Sequence, residues 1–478
     1  MVFAFLSVIA TILPTTARAL ECRYDVVVSD AIASELSVTI DCDGGLPASF
    51  AMTEGVPAWA GAMTLSDGGV EIEPDGERWL VPPGARDGTA HYTLAFRAMA
   101  DTMGGYVSAS RTIGAIYAEP DAWLAVPEPA DAYTLSIRLE SPNGGEIATS
   151  LPFDGTRHRI SAEDVRWAGP TVFGTFDRVA IEVPAPRSLT NGTDDRTTID
   201  LVIVGQAMTE RADELSAWVK ASALVTADFW GGFPIERPLL ILRPSDGNRV
   251  TDGRVEAVGG VTIVVAVGYS TKSADLYQDW ILIHEMLHLG SPYMRDTGAW
   301  INEGIATFYE PIVRMRAGWK TREEVWREWI EWMPNGLRAM GEVGLGDAEG
   351  GGVYWGGALL LLLAETEVRQ RTELALGVED CLRAVRDAGG TTDQTWTTIR
   401  FLDVCDETLG GTTLSELVMR HLVPGEPPDL DALWARLGVS LTNGEIRFDD
   451  TAPLAAVRDA ILSGGPNAQW QPVPIPAP

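Results

Sequence analysis

The apolar pattern of this 478-residue chain changes its period once, and that change constrains the fold more than any other feature. From about Cys22 to Pro184 short alternating or β-branched runs recur, at 24–28, 35–40, 92–96, 133–139 and 178–183, with Gly, Pro, Asn and Asp clusters between them. A period of two broken by turn residues predicts strands, and many short strands predict a sandwich-like β module. From Gln206 the period becomes helical. Helices are predicted over 209–229, 275–289, 300–316, 322–333, 354–369, 378–388 and 414–422, with strands only at 239–242 and 260–267. A chain this long exceeds what one hydrophobic core organises. The expected fold class is therefore multidomain β plus α/β. The expected division is a β domain over 20–184, a polar linker over 185–198, a mostly helical domain over 199–425, a small helical unit over 426–465 and a Pro-rich tail over 466–478, disordered from 471 on.

Residues 1–19 read as a signal peptide, with an apolar stretch over 2–13 and the small-x-small signal Ala17-Arg18-Ala19. The expected location is secreted or periplasmic. No later run reaches 18 apolar residues, so no membrane span is expected after cleavage. In an oxidising compartment the two near pairs of cysteines predict two disulfides, Cys22–Cys42 and Cys381–Cys405. Formal net charge is −31, from 36 Lys and Arg against 67 Asp and Glu. That balance excludes a nucleic-acid binder, which must neutralise phosphates, and docking on anionic lipid.

Chemistry concentrates at His284-Glu285-Met286-Leu287-His288, inside the apolar stretch 280–289. Histidines at i and i+4 share one helix face, so both imidazoles reach a single cation. This predicts one zinc ion per chain, with His284 and His288 as ligands. Glu285 stands beside the metal and off it, placed to relay a proton from a zinc-activated water. No cysteine has CxxC spacing and no histidine lies between His288 and His421, so the third ligand is expected to be a downstream carboxylate. Glu303 opens the next helix, in Trp300-Ile301-Asn302-Glu303-Gly304; Asp296, in a turn, competes with it. Glu310, seven residues after Glu303, shares its helix face and could accept the outer N–H of a zinc histidine.

HEMLH followed by WINEGIATFYE resembles the gluzincin zinc metallopeptidases, and within them the glycyl aminopeptidase family, related to aminopeptidase N. The resemblance runs over about 121–386 and implies a β module followed by a thermolysin-like catalytic domain. It implies His284, His288 and Glu303 as zinc ligands, Glu285 as general base and Glu310 as partner of a zinc histidine. Val353-Tyr354-Trp355-Gly356-Gly357-Ala358-Leu359 resembles the family's Y-x-K-G-A-L helix start, which implies Tyr354 as the oxyanion donor. The sequence departs from the family in four places. Only 14 positions (289–302) separate His288 from Glu303, Gly356 stands for a lysine, no aromatic follows His288, and Glu256-Ala257-Val258-Gly259-Gly260 replaces the amine-holding G-x-M-E-N. The strand over 261–267 is then expected to be the edge along which a peptide lies. Trp326, Trp329, Ile330, Trp332 and Met333 form a stripe expected to pack in the core. The function expected from these features is an exported peptidase acting on peptides or proteins, aminopeptidase-like; the competing reading is a cell-envelope binding protein with a relict or structural zinc site.

Overall fold

The computed structural model describes residues 19–66, 69–103, 107–109, 114–186, 195–296, 299–464, 470 and 472–475. Apart from Ala19, the expected signal peptide lies outside the described residues, as does 187–194 of the expected linker.

A β-rich region comes first and a helical region follows. Seven strands of the β-rich region form its main sheet: β1 (Leu20–Val28), β2 (Leu36–Cys42), β3 (Met63–Leu65), β4 (Val70–Ile72), β5 (Ala90–Leu94), β6 (Tyr133–Glu140) and β7 (His158–Ser161). Their order is β7-β6-β1-β2-β5-β3-β4, with β1 parallel to β6 and antiparallel to β2. Cys22 stands opposite Cys42 across that ladder, and the two form the expected disulfide. Alternation along β2 places Leu36, Val38, Ile40 and Cys42 inward. Tyr24 and Tyr92 are buried in this core, and each hydroxyl finds a carbonyl, Ala125 O at 2.7 Å and Trp123 O at 2.8 Å.

The next five strands are β8 (Asp177–Pro184), β9 (Arg196–Ile203), β10 (Leu239–Ser245), β11 (Val250–Glu256) and β12 (Thr262–Gly268). They form a separate sheet in the order β8-β9-β10-β12-β11. Residues 178–183, grouped by pattern with the β module, pair with β9 in this second sheet. Alternation marks a strand but not which sheet it joins. The central strands β10 and β12 read as near-continuous apolar runs because both faces are covered. On one face Val202, Leu239, Ile241 and Val264 pack against Tyr117, Val172 and Phe176 of the β-rich region.

The strand expected to be the edge is not one. β12 is flanked by β10 and β11, so the free edge belongs to β11, antiparallel to β12. The sequence of β11, Val-Thr-Asp-Gly-Arg-Val-Glu, is too polar to signal a strand, as befits an edge that must not recruit other chains.

The helices that position the site are α1 (Ala212–Trp230), α2 (Ile281–His288), α3 (Trp300–Arg316), α4 (Arg322–Trp332), α5 (Gly351–Arg371), α6 (Val378–Asp387) and α7 (Thr398–Leu409). The helix expected over 275–289 is two, Ser273–Gln278 and α2, because Asp279 Oδ1 accepts Ile281 N–H at 2.8 Å and starts the second. A capping box at Thr321 and Glu324 starts α4. α3 and α5 cross at a pair of glycines. A Cβ on Gly304 would stand 2.5 Å from Gly357 Cα, and one on Gly357 would stand 2.1 Å from Trp300 O. Only glycine permits that approach. The second expected disulfide, Cys381–Cys405, joins α6 to α7.

Beneath these helices lies a buried ionic network. Glu379 takes Arg316 at 2.9 Å, Arg369 at 3.3 Å and Arg383 at 3.0 Å, while Glu365 takes Arg369 at 2.6 Å and the Tyr309 hydroxyl at 2.7 Å. Part of the tail, expected to be disordered, packs against this region. Trp470 stacks 4.0 Å from the Arg316 guanidinium, and Trp319 Nε1 donates to Val473 O at 2.8 Å. One cation–π contact and one hydrogen bond hold what its proline content alone would leave loose. No helix among the described residues is long and apolar enough to cross a membrane.

Candidate metal centre

α2 is buried along nearly its whole length, so its two histidines are fixed by packing before any ligand arrives. Their rings lie 4.9 Å apart, nearly perpendicular. Glu303, in the first turn of α3, meets them: its Oε2 is 3.1 Å from His284 Nε2 and 3.6 Å from His288 Nε2. The three donor atoms lie within 4.8 Å of one another. Tetrahedral zinc donors about 2.1 Å from the ion stand roughly 3.4 Å apart, so this spacing and this donor set fit zinc.

Asp296, the competing ligand, does other work. Its carboxylate accepts Thr398 N–H at 3.0 Å and the Thr398 hydroxyl at 2.8 Å, tying the loop to the start of α7. The short connection from His288 to Glu303 is held by Asn302, whose Nδ2 donates to Ser291 Oγ at 3.0 Å and Pro292 O at 2.9 Å.

Electrostatics prepares these groups. Burial lowers His288 to about 4, with His284 adding to the effect, so its imidazole is neutral at pH 7 with a lone pair free for a cation. Burial opposes ionisation of Glu303, yet the hydrogen bond to His284 holds its carboxyl below the usual value. Burial pushes Glu285 up to about 7, and Glu303 and Asp252 push the same way against His284. Its neighbour across the sheet is Gly253 of β11: a Cβ there would stand 2.9 Å from Glu285 Oε1 and 2.4 Å from Ile281. The free edge strand thus passes directly over the carboxylate.

Tyr354, in the first turn of α5, reaches the site because Gly357 lets that helix close on α3. Its ring centroid is 6.1 Å from that of His284, and burial, then Glu303 and Glu285, raise its phenol. Glu310 occupies the expected helix position, but its described partner is Arg314, one turn on, at 2.7 Å. Arg314 also donates to Gln278 O, and no hydrogen bond joins Glu310 to a histidine among the described residues.

Three contributors had weak sequence signals. Trp280 stands edge-on to His284 at 5.1 Å and is half exposed. Gly253 sits in a strand too polar to recognise. Glu119 belongs to the β-rich region, 135 residues from its partner Arg254, which it meets at 2.8 Å. Arg254 also binds Glu256 at 3.2 Å, and burial pushes Glu119 up to about 7. The aromatic stripe divides: Trp326, Trp329 and Met333 are buried, while Trp332 is 52% exposed and stacks on Trp355.

No family model matches the chain, and no curated protein matches it. Solved structures do. An aminopeptidase N family protein from Idiomarina loihiensis superposes with a TM-score of 0.61 at 13% identity, over 87% of this chain and 78% of that one. An M1 zinc metallopeptidase from Deinococcus radiodurans gives 0.44 at 15% identity, over 86% and 97%. Native yeast LTA4 hydrolase gives 0.46 at 13% identity, over 88% and 72%. The first of these shows a shared fold: a β-rich region followed by a helical one.

Proposed function

We propose that this chain is an exported, zinc-dependent metallopeptidase with a thermolysin-like catalytic domain, removing residues from the N terminus of peptides. The observation that carries the reading is the convergence of His284, His288 and Glu303 at ligand spacing, with Glu285 adjacent to them and outside the ligand set. Zinc held there supplies a Lewis acid at the scissile carbonyl.

The chain's own groups do the rest. An extended peptide pairs with the free edge of β11, whose backbone N–H and C=O groups on that side have no strand partner among the described residues. Gly253 allows it to lie close to Glu285. Glu285, with its proton affinity tuned near neutrality, takes the proton of the attacking water on its carboxylate and returns it to the departing nitrogen. The Tyr354 phenol stays protonated at working pH and donates to the carbonyl oxygen as negative charge develops. Glu119 and Glu256 flank Arg254 at the end of the edge strand, carboxyl groups placed to receive a substrate α-ammonium.

A structural zinc site closes its coordination with a fourth protein ligand. Among the described residues the cluster holds three candidate ligands, which favours catalysis over a relict or structural site in a binding protein. Metal analysis tests this. The purified chain should carry one zinc, and Glu285→Gln should keep it while losing turnover of aminoacyl and peptide substrates. Equal activity in the two proteins would overturn the assignment of Glu285.

A further inference from the structure

A cavity of about 670 Å³ opens beside His284 and Tyr354 and runs along α4. Its volume suits a bound side chain and more. Three cations line it, and each is engaged. Arg314 is held by Glu310 and Gln278 O, Lys320 by Glu328, and Arg327 by Gly444 O at 2.6 Å. Arg314 Nε is buried without a partner, and Arg327 meets no carboxylate among the described residues. Of the four lining carboxylates, Glu310 and Glu328 hold the cations just named and Glu324 caps α4 through Thr321. Glu331 has no hydrogen bond or ion pair among the described residues, and it is exposed. Beside it Trp332 stacks on Trp355, ring centroids 6.2 Å apart at 17°, presenting an aromatic wall to the same space. A free carboxylate beside tryptophan faces attracts a cation. The field of a chain with net charge −31 draws cations to it as well.

We propose that this cavity is the specificity pocket of the enzyme and takes the cationic side chain of an arginine or lysine in the substrate, held between the Trp332–Trp355 pair and Glu331. The proposal rests on the peptidase reading for its setting next to the scissile bond.

Binding and cleavage test it separately. Arginine amide and its neutral near-isostere citrulline amide are titrated into zinc-loaded Glu285→Gln protein, with tryptophan fluorescence as readout. Arginine amide should bind about tenfold tighter than citrulline amide, the sum of one cation–π contact and one exposed ion pair. Adding Glu331→Gln should remove the ion-pair share and leave about a threefold preference from the cation–π contact, and Glu331→Lys should invert it. Wild type should cleave peptides with arginine or lysine next to the scissile bond in preference to citrulline or norleucine, through KM, and Glu331→Gln should reduce that preference through KM. Equal binding of the two amides, or a preference unchanged by Glu331→Gln, would overturn the pocket. Cleavage without charge preference would sink the pocket and leave the peptidase standing. Glu331-dependent arginine binding with no cleavage of any peptide would do the reverse.

Discussion

The Gly304–Gly357 crossing makes a sharp prediction, because neither glycine touches substrate in the reading proposed here. In Gly304→Ala the new Cβ would lie 2.5 Å from Gly357 Cα and 2.6 Å from Gly357 C. Both are backbone atoms, so no side chain can swing away. Ordinary contact begins at 3.4 Å, so α3 and α5 must part by about 0.9 Å. Overpacking of this kind costs about 1–3 kcal/mol. In a domain of this size that lowers Tm by roughly 2–4 °C per kcal/mol. The larger effect falls on Tyr354, one turn before Gly357. A displacement near 1 Å of a catalytic donor costs about 10²-fold in kcat. Thermal melts, zinc analysis and steady-state kinetics on Gly304→Ala, Tyr354→Phe and the double variant provide the assay. The account expects retained zinc, a lower Tm, a kcat drop near 10²-fold, and little further loss when Gly304→Ala is added to Tyr354→Phe. Full activity in Gly304→Ala, or fully additive losses, would refute the argument that the crossing acts through Tyr354.

Three further outcomes follow from the same geometry. Glu303→Ala should lose most zinc, whereas Asp296→Ala should keep it and loosen only the start of α7; metal analysis of the pair decides between them. Burial raises Glu119 from 4.5 to about 7, so the cost of ionising it is absent below about 4.5 and complete above about 7. Stability should therefore fall by up to about 3 kcal/mol across that window, and urea melts of Glu119→Gln should lack this component. Arg369→Met strands the buried Glu365 carboxylate, and chemical denaturation should show a loss of about 3–5 kcal/mol with zinc affinity unchanged.

The parts of this molecule legible in the sequence are those governed by local periodicity. Trp300–Arg316 appears as expected, its apolar residues recurring at helical spacing strongly enough to carry the helix through Pro311. The histidine pair was visible because i, i+4 spacing is itself a structure. Both disulfides were legible from the near spacing of each cysteine pair. What failed was non-local or polar. β11 was not expected as a strand because Asp252, Gly253 and Arg254 occupy an edge that buries little. The start of α7 is threonine-rich and no helix was expected there, although the Thr397 hydroxyl accepts Arg400 N–H at 3.2 Å and caps it. The expectation for Glu310 placed it correctly on the helix but could not foresee that Arg314, four residues on, takes its carboxylate. Asp296 looked like a ligand because its true partner, Thr398, lies 102 residues away.

The central claim is that Glu285 and the three-donor cluster hydrolyse peptide bonds. A mass-spectrometric digest of a mixed peptide library, with zinc-loaded wild type and Glu285→Gln side by side, tests it directly. The account predicts stepwise loss of N-terminal residues by wild type alone. Internal cuts by wild type would keep the peptidase and contradict the exopeptidase mode. Intact peptides in both reactions, with zinc bound in both, would contradict the claim itself.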